Sequence, residues 1–181
     1  MPAVEHGFLD PVPERLYVDT DIFVNHLVAG QPHHTRCRVF LERLQREART
    51  TLYVSSLSWL EVAHVITRPG FREALPDELQ RRYRIGRWQR PDIRRAYIDG
   101  LLGDFESVLG QFAWVEVPLT PMVRRLTTRF MAEYGLGSQD AAHLASAAQE
   151  GVVDFASLDV AFRRVDDLDL WNDLIHRPRT T

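Results

Sequence analysis

Apolar residues along the chain fall into short β-rich runs that alternate with longer stretches of helical periodicity. The run "RLYVD" reads as a strand ending at Asp19, and "TDIFVNHLVAG" continues as a helix that stops at Gly30 and Pro32. A second helix fits "HTRCRVFLERLQREA", with Val39, Leu41 and Leu44 as its apolar side. "TTLYVSS" is the next strand, and "SSLSWLEVAHVITR" opens on serine caps and runs as a helix to Pro69. Residues 70 to 110 read as helical and polar. "FAWVEVP" is a third strand. "TPMVRRLTTRFMAEYGLG" places a Thr120 cap, Pro121 at the first helical position, and Val123, Leu126, Phe130 and Tyr134 at helical spacing before Gly135. An alanine-rich helix, "GSQDAAHLASAAQEG", runs from a Ser138 cap to Gly151 and suits close packing. "VVDFASLD" is a fourth strand, "DVAFRRV" a short helix, and "LDLWN" a last edge strand. Strands separated by helices imply βαβ units, hence an α/β fold with a parallel sheet covered on both faces. Ligands in such sheets sit beyond the carboxyl ends of the strands.

That rule draws attention to the acids. Asp19 and Asp159 each close a strand and open a helix, and Asp140 lies in the first turn of its helix. Each alone reads as a helix cap or a dipole partner. Glu61 is different, because it shares a helix face with Leu57, Leu60 and Val65, the stripe expected to point inward, where a carboxylate needs a partner. Together the four acids come from separate segments that a parallel sheet gathers along one rim. Converging carboxylates repel unless a cation lies between them, and Mg²⁺ or Mn²⁺ suits an all-oxygen set. The lone Cys37 and the scattered histidines give no zinc spacing. His143 reads as helix packing, and Asp154, at the start of its strand, as peripheral.

Composition narrows the function classes further. The 181 residues suit one domain, with 45% hydrophobic and 26% charged residues and a net charge of −3. All 22 basic residues are arginine, which leaves no lysine for phospho-receiver chemistry. No window approaches a membrane span and the start lacks a signal-peptide layout, so the expectation is an intracellular, cytoplasmic protein with no membrane association.

Four stretches, "YVDTDIFVNHL", "SSLSWLEVAHV", "LGSQDAAHLASA" and "DFASLDVAF", taken in this order, resemble the acidic motifs of the PIN domain, especially the VapC-like toxins of type II toxin–antitoxin pairs. The resemblance covers residues 15 to 171. It implies a three-layer α/β/α sandwich around a mainly parallel sheet, with Asp19, Glu61, Asp140 and Asp159 gathering Mg²⁺ or Mn²⁺ for endonucleolytic cleavage of RNA. It also implies a small antitoxin partner and a homodimer. Thr20 and Ser157 stand where the family carries hydroxyl residues, as hydrogen-bonding supports. Asp21 stands where Ser is more usual, which leaves its part in the site open.

On this reading residues 1 to 13 are an N-terminal extension and 14 to 176 the nuclease domain, with a helical, arginine-rich insertion at about 68 to 110. In that insertion Arg81, Arg82, Arg84, Arg87 and Trp88 are candidates for contact with RNA or a partner protein. Two other functions fit some of the same residues. A haloacid dehalogenase-like phosphatase would use Asp19 as nucleophile and Asp21 as acid, although "DIFVNHL" lacks the Gly and Thr usual after that pair. A non-catalytic binding module would keep the fold and use only the arginine lobe.

Overall fold

The computed structural model describes residues 1 to 173, so the domain end placed at residue 176 lies outside the described residues. Among these, six strands form one sheet: β1 (Val4–His6), β2 (Arg15–Val18), β3 (Thr51–Ser55), β4 (Ala113–Val117), β5 (Asp154–Ala156) and β6 (Asp169–Trp171). Their order is β1-β6-β5-β2-β3-β4, and every pairing is parallel. Eight α-helices accompany them: α1 (Thr20–Leu27), α2 (His34–Glu47), α3 (Leu57–Thr67), α4 (Pro69–Glu73), α5 (Asp77–Arg82), α6 (Pro91–Leu109), α7 (Pro121–Tyr134) and α8 (Ser138–Gln149). Short 3₁₀ helices span Ile85–Arg87 and Val160–Arg164.

Strand alternation divides the core into two layers. Leu16, Val18, Leu52 and Val54 face a cluster that takes in Ile22, Phe40, Val62 and Phe105 from α1, α2, α3 and α6. Tyr17, Phe155 and Leu170 face the other way, onto Val123 and Phe130 of α7 and the small residues Ala141 and Ala145 of α8. Those alanines leave room for α7 and α8 to pack closely, as the composition of α8 predicts. The arrangement is the three-layer α/β/α sandwich.

Local chemistry explains several boundaries. The Thr120 side chain accepts the Val123 N–H at the start of α7, and Gly135 ends that helix at φ 63°, a left-handed conformation that favours glycine. At α8 the cap is Gly137 rather than Ser138, which is the first helical residue and makes no capping bond. A Cβ at position 137 would lie 3.1 Å from Asp140 Oδ2, so glycine lets that carboxylate sit against the helix entry.

Three readings are corrected. β6 is interior, between β1 and β5, and the edge is the short β1, formed from residues to which the sequence pattern assigned no element. Its pairing with β6 spans almost the whole chain, and "VEH" has too few residues to show alternation. On α2, Val39 is 42% exposed while Cys37 and Phe40 join Leu41 and Leu44 in the core. On α3, Leu60 is 67% exposed and the inward residues are Ser58, Val62 and Ile66. That helix is apolar on nearly every side, so periodicity alone does not fix its phase.

Within residues 68 to 110, the long helix α6 carries Tyr97, Leu101 and Phe105 into the core, and Phe105 meets Phe23 and Trp59 edge-on. The Tyr97 hydroxyl donates to the Ile66 carbonyl at 2.6 Å, which ties α6 to the end of α3. Tyr83 is buried, and Trp88 lies under the Arg72 guanidinium and edge-on to Tyr97. These aromatics pack inside the lobe and leave Arg81, Arg82, Arg84 and Arg87 exposed on its outside. No described helix is long and apolar enough to cross a membrane.

Candidate functional site

The sheet order reverses direction beside β2: the chain moves from β2 to β3 and β4 on one side, and returns with β5 on the other. A crevice opens at such a point, beyond the carboxyl ends of β2 and β5. Here it is a cleft of about 300 Å³ lined by Asp19, Asp21, Glu61, Asp140 and Asp159, together with Thr20, His64, Arg68 and His143. All four acids singled out from the sequence therefore face one space.

Asp19 follows β2 directly, and its backbone N–H donates to Ala156 of β5, which fixes the two strand ends against each other. Its Oδ1 accepts the Thr20 N–H at 2.6 Å as the cap of α1, and Oδ2 accepts the Ser157 hydroxyl at 2.8 Å. The cap role and the cleft position thus coexist in one side chain. Asp159 likewise caps its 3₁₀ helix through Ala161 N–H, and its own N–H donates to Ser157 Oγ. Ser157 is buried and braces the ends of both strands.

Asp21 lies one turn-step further into α1. Its Oδ2 accepts the Leu158 N–H at 2.8 Å and lies 3.2 Å from Ser157 Oγ, while the buried Oδ1 has no hydrogen-bond partner. Burial, followed by the nearby Asp19 charge, pushes the Asp21 carboxyl well above its ordinary range. Burial also raises Asp19, against the opposing pull of His143 and the Ser157 hydrogen bond. Asp140 is raised by burial and then by Asp159.

Glu61 behaves oppositely. Burial opposes its charge, but the His143 hydrogen bond, the His143 charge and the Thr20 hydroxyl together hold its carboxyl below the ordinary range. His143 Nε2 lies 2.7 Å from Glu61 Oε2 and 3.6 Å from Asp19 Oδ1, and its Nδ1 is 2.8 Å from the Tyr17 hydroxyl. Burial pushes the Tyr17 hydroxyl far above its usual range, so it keeps its proton. When the ring is neutral, Nδ1 accepts the Tyr17 O–H and Nε2–H donates to Glu61; when it is protonated, Nδ1–H donates to the Tyr17 oxygen instead and Nε2–H still donates to Glu61. Burial lowers His143, but Asp19, Glu61 and Asp21 outweigh it and raise its pKa.

His143 is the residue that sequence reasoning assigned to packing. It is buried, yet it aligns Glu61 from the opposite side of the cleft. Its spacing of three from Asp140 puts both on one face of α8, and that was the available signal. His64, one turn beyond Glu61 on α3, and Arg68, the residue that caps α3 two turns beyond it, were not singled out at all.

Asp19, Glu61 and His143 each offer a ligand atom, all within 4.8 Å of one another. The unpartnered Asp21 oxygen and three carboxyls with raised pKa values mark a cleft short of positive charge. Such an oxygen-rich set fits a hard divalent cation.

The PIN domain profile matches residues 16–168 of the chain. The chain belongs to the PIN domain family. In fold this PIN domain is similar to VapBC2 from Rickettsia felis, solved bound to a DNA fragment from its promoter, with TM-score 0.54 and 16% identity over 87% of this chain and 98% of the other. It is also similar to FitAcB from Neisseria gonorrhoeae, with TM-score 0.58 and 17% identity over 88% of this chain and 98% of the other. No curated protein matches its sequence. Membership of the PIN family sets aside the dehalogenase-like phosphatase reading of Asp19 and Asp21.

Proposed function

We propose that this PIN domain is a metal-dependent endoribonuclease, the toxin of a toxin–antitoxin pair. The observation that carries the reading is the convergence of Asp19, Glu61, Asp140 and Asp159 on one cleft at the strand-order reversal. These four acids are the residues that would hold Mg²⁺ or Mn²⁺, with Thr20 and Ser157 orienting them. A divalent cation held there lowers the pKa of a water and offsets the charge of a phosphodiester.

The chain's own groups define the rest. Ser157 and the Thr20 N–H keep Asp19 aimed into the cleft. The Thr20 hydroxyl donates to Glu61, and the Tyr17–His143 pair holds the same carboxylate from behind. Glu61, kept ionised by these contacts, presents a charged oxygen to a cation in the cleft. Asp21 adds a fifth acid close to the first, in a cleft that favours cation binding.

The test is digestion of a mixed RNA substrate with Mn²⁺, with Mg²⁺ and with EDTA. Cleavage with either metal and none with EDTA supports the reading; intact RNA in all three would leave only a binding module. A small antitoxin protein covering the cleft and a homodimer belong to the same proposal, read from the family resemblance. The named assemblies VapBC2 and FitAcB support the first.

The exposed Arg81, Arg84 and Arg87 line a second concavity of about 360 Å³ on the lobe, together with Asp77. None of the three forms an ion pair among the described residues. They are placed to hold RNA phosphates, with Arg82 beside them, whereas the enclosed Trp88 contributes packing. Replacing Arg81, Arg84 and Arg87 together by Ala should weaken single-stranded RNA binding and reduce the slope of log K against log salt by about 2. Fluorescence anisotropy over a salt series measures this. An unchanged slope would assign the lobe to a protein partner.

A further inference from the structure

Among the residues lining the acidic cleft there is one arginine. Arg68 stands seven residues after Glu61, and Glu61, His64, Val65 and Arg68 follow the helical spacing that places them along one side of α3. Its backbone is fixed twice. Pro69 disfavours the helical conformation for the residue before it, and Arg68 adopts φ −64° and ψ 139°. Its N–H still donates to Val65 at 3.1 Å, which closes α3.

The side chain is held in an unusual way. Nε and Nη2 both approach His64 Nε2, at 3.2 and 2.8 Å, so the guanidinium rests on an imidazole nitrogen that accepts from it. No carboxylate lies within ion-pair distance of it among the described residues, although five acids line the same cleft. Two donors serve one acceptor, and the remaining N–H groups have no protein partner there. Both Arg68 and His64 are exposed at the rim.

An acidic cleft repels a polyanion, so a substrate phosphate needs positive charge beside the carboxylates as well as between them. A guanidinium that neutralised the acids would not be available for that task; one parked on an imidazole nitrogen is. Its forked donors match two oxygens of a phosphate.

We propose that Arg68, positioned by His64, binds a backbone phosphate of the RNA substrate at the rim of the cleft. This rests on the endoribonuclease reading and gives it a specific substrate contact on the lobe side of the cleft. Arg68 is a substrate-binding residue and His64 a positioning residue.

The probe is a fluorescent 2′-O-methyl RNA oligonucleotide, measured by anisotropy in Ca²⁺ and over a salt series. Arg68→Ala should weaken binding about tenfold and lower the salt slope by about 0.7, the value for one phosphate contact on a single strand. On cleavable RNA it should raise KM by a similar factor and leave kcat within about threefold. The Mn²⁺-induced rise in thermal midpoint should match the wild type, which separates loss of a phosphate contact from loss of the metal site or the fold. His64→Ala should show a smaller form of the same KM effect, and His64→Gln, which restores an acceptor, should recover it. Wild-type affinity and slope in Arg68→Ala, in a protein that does cleave RNA, would overturn this inference alone. Failure of the wild type both to bind and to cleave RNA would overturn it together with the function on which it rests.

Discussion

Asp19→Asn should abolish metal-dependent RNA cleavage while leaving the protein folded. Asp19 is 7% exposed, joins the ends of β2 and β5, and sits within ligand distance of Glu61 and His143. An amide keeps one oxygen to accept the Thr20 N–H but loses the charge that attracts a cation. Activity should fall by about a thousandfold or more, a barrier increase of roughly 4 kcal/mol. Stability should move the other way. Because burial and the neighbouring Glu61 make the charge costly, neutralising it should leave the thermal midpoint in EDTA equal to or above the wild type. The Mn²⁺-induced rise should disappear. Asp154→Asn is the matched control: Asp154 accepts the Trp171 indole N–H outside the cleft, and an amide oxygen preserves that bond, so activity should stay within about twofold. Equal activity in Asp19→Asn and wild type would remove the cleft from the chemistry.

The metal-free protein should lose stability as pH rises from about 6 to 8.5, and Mn²⁺ should reverse most of that loss. His143 has an ordinary value inside this range and a folded pKa raised above it, so here the folded chain holds more protons than the unfolded chain; Asp19, Asp21 and Asp140 are raised too, and their contributions are lost from the ordinary carboxylate range upward. Stability then falls with pH. For His143 the contribution is fully present below its unfolded pKa and is lost as pH rises through the raised folded value. Glu61 has the opposite sign: its contribution is present above the unfolded value and is lost only as pH falls through its lowered folded one, which lies below this window. A cation that takes the place of the protons stabilises more at high pH. Thermal melts in EDTA and in Mn²⁺ across the range should therefore diverge, with the Mn²⁺ increment growing with pH. An increment that is the same at pH 6 and pH 8 would mean that the ion binds elsewhere.

The sequence carried the sandwich and its acidic rim because those depend on local signals. Short β-rich runs separate cleanly from helices, and an acid closing such a run lands at the rim of any parallel sheet, which placed Asp19 and Asp159. Glu61 reached the cleft for a reason close to the one inferred, although its face is shared with Ser58 and Val65 rather than with Leu60. What escaped depends on pairing across the chain. β1 exists because residues 4 to 6 meet residues 169 to 171, and His143 matters because α8 brings it to Glu61 and Tyr17. Trp88, in an arginine-rich stretch, looks like a base-stacking residue until Tyr97 from α6 covers it. No spacing rule within one segment reports such contacts.

The central claim is that the cleft holds a catalytic divalent cation. Anomalous scattering from crystals of the protein soaked in Mn²⁺ tests it most directly. The account predicts a peak inside the cleft, ligated by Asp19 and at least one of Glu61, Asp140 and Asp159, and absent in Asp19→Asn. Mn²⁺ found only at acids outside the cleft, with the cleft carboxylates bound to none, would contradict it.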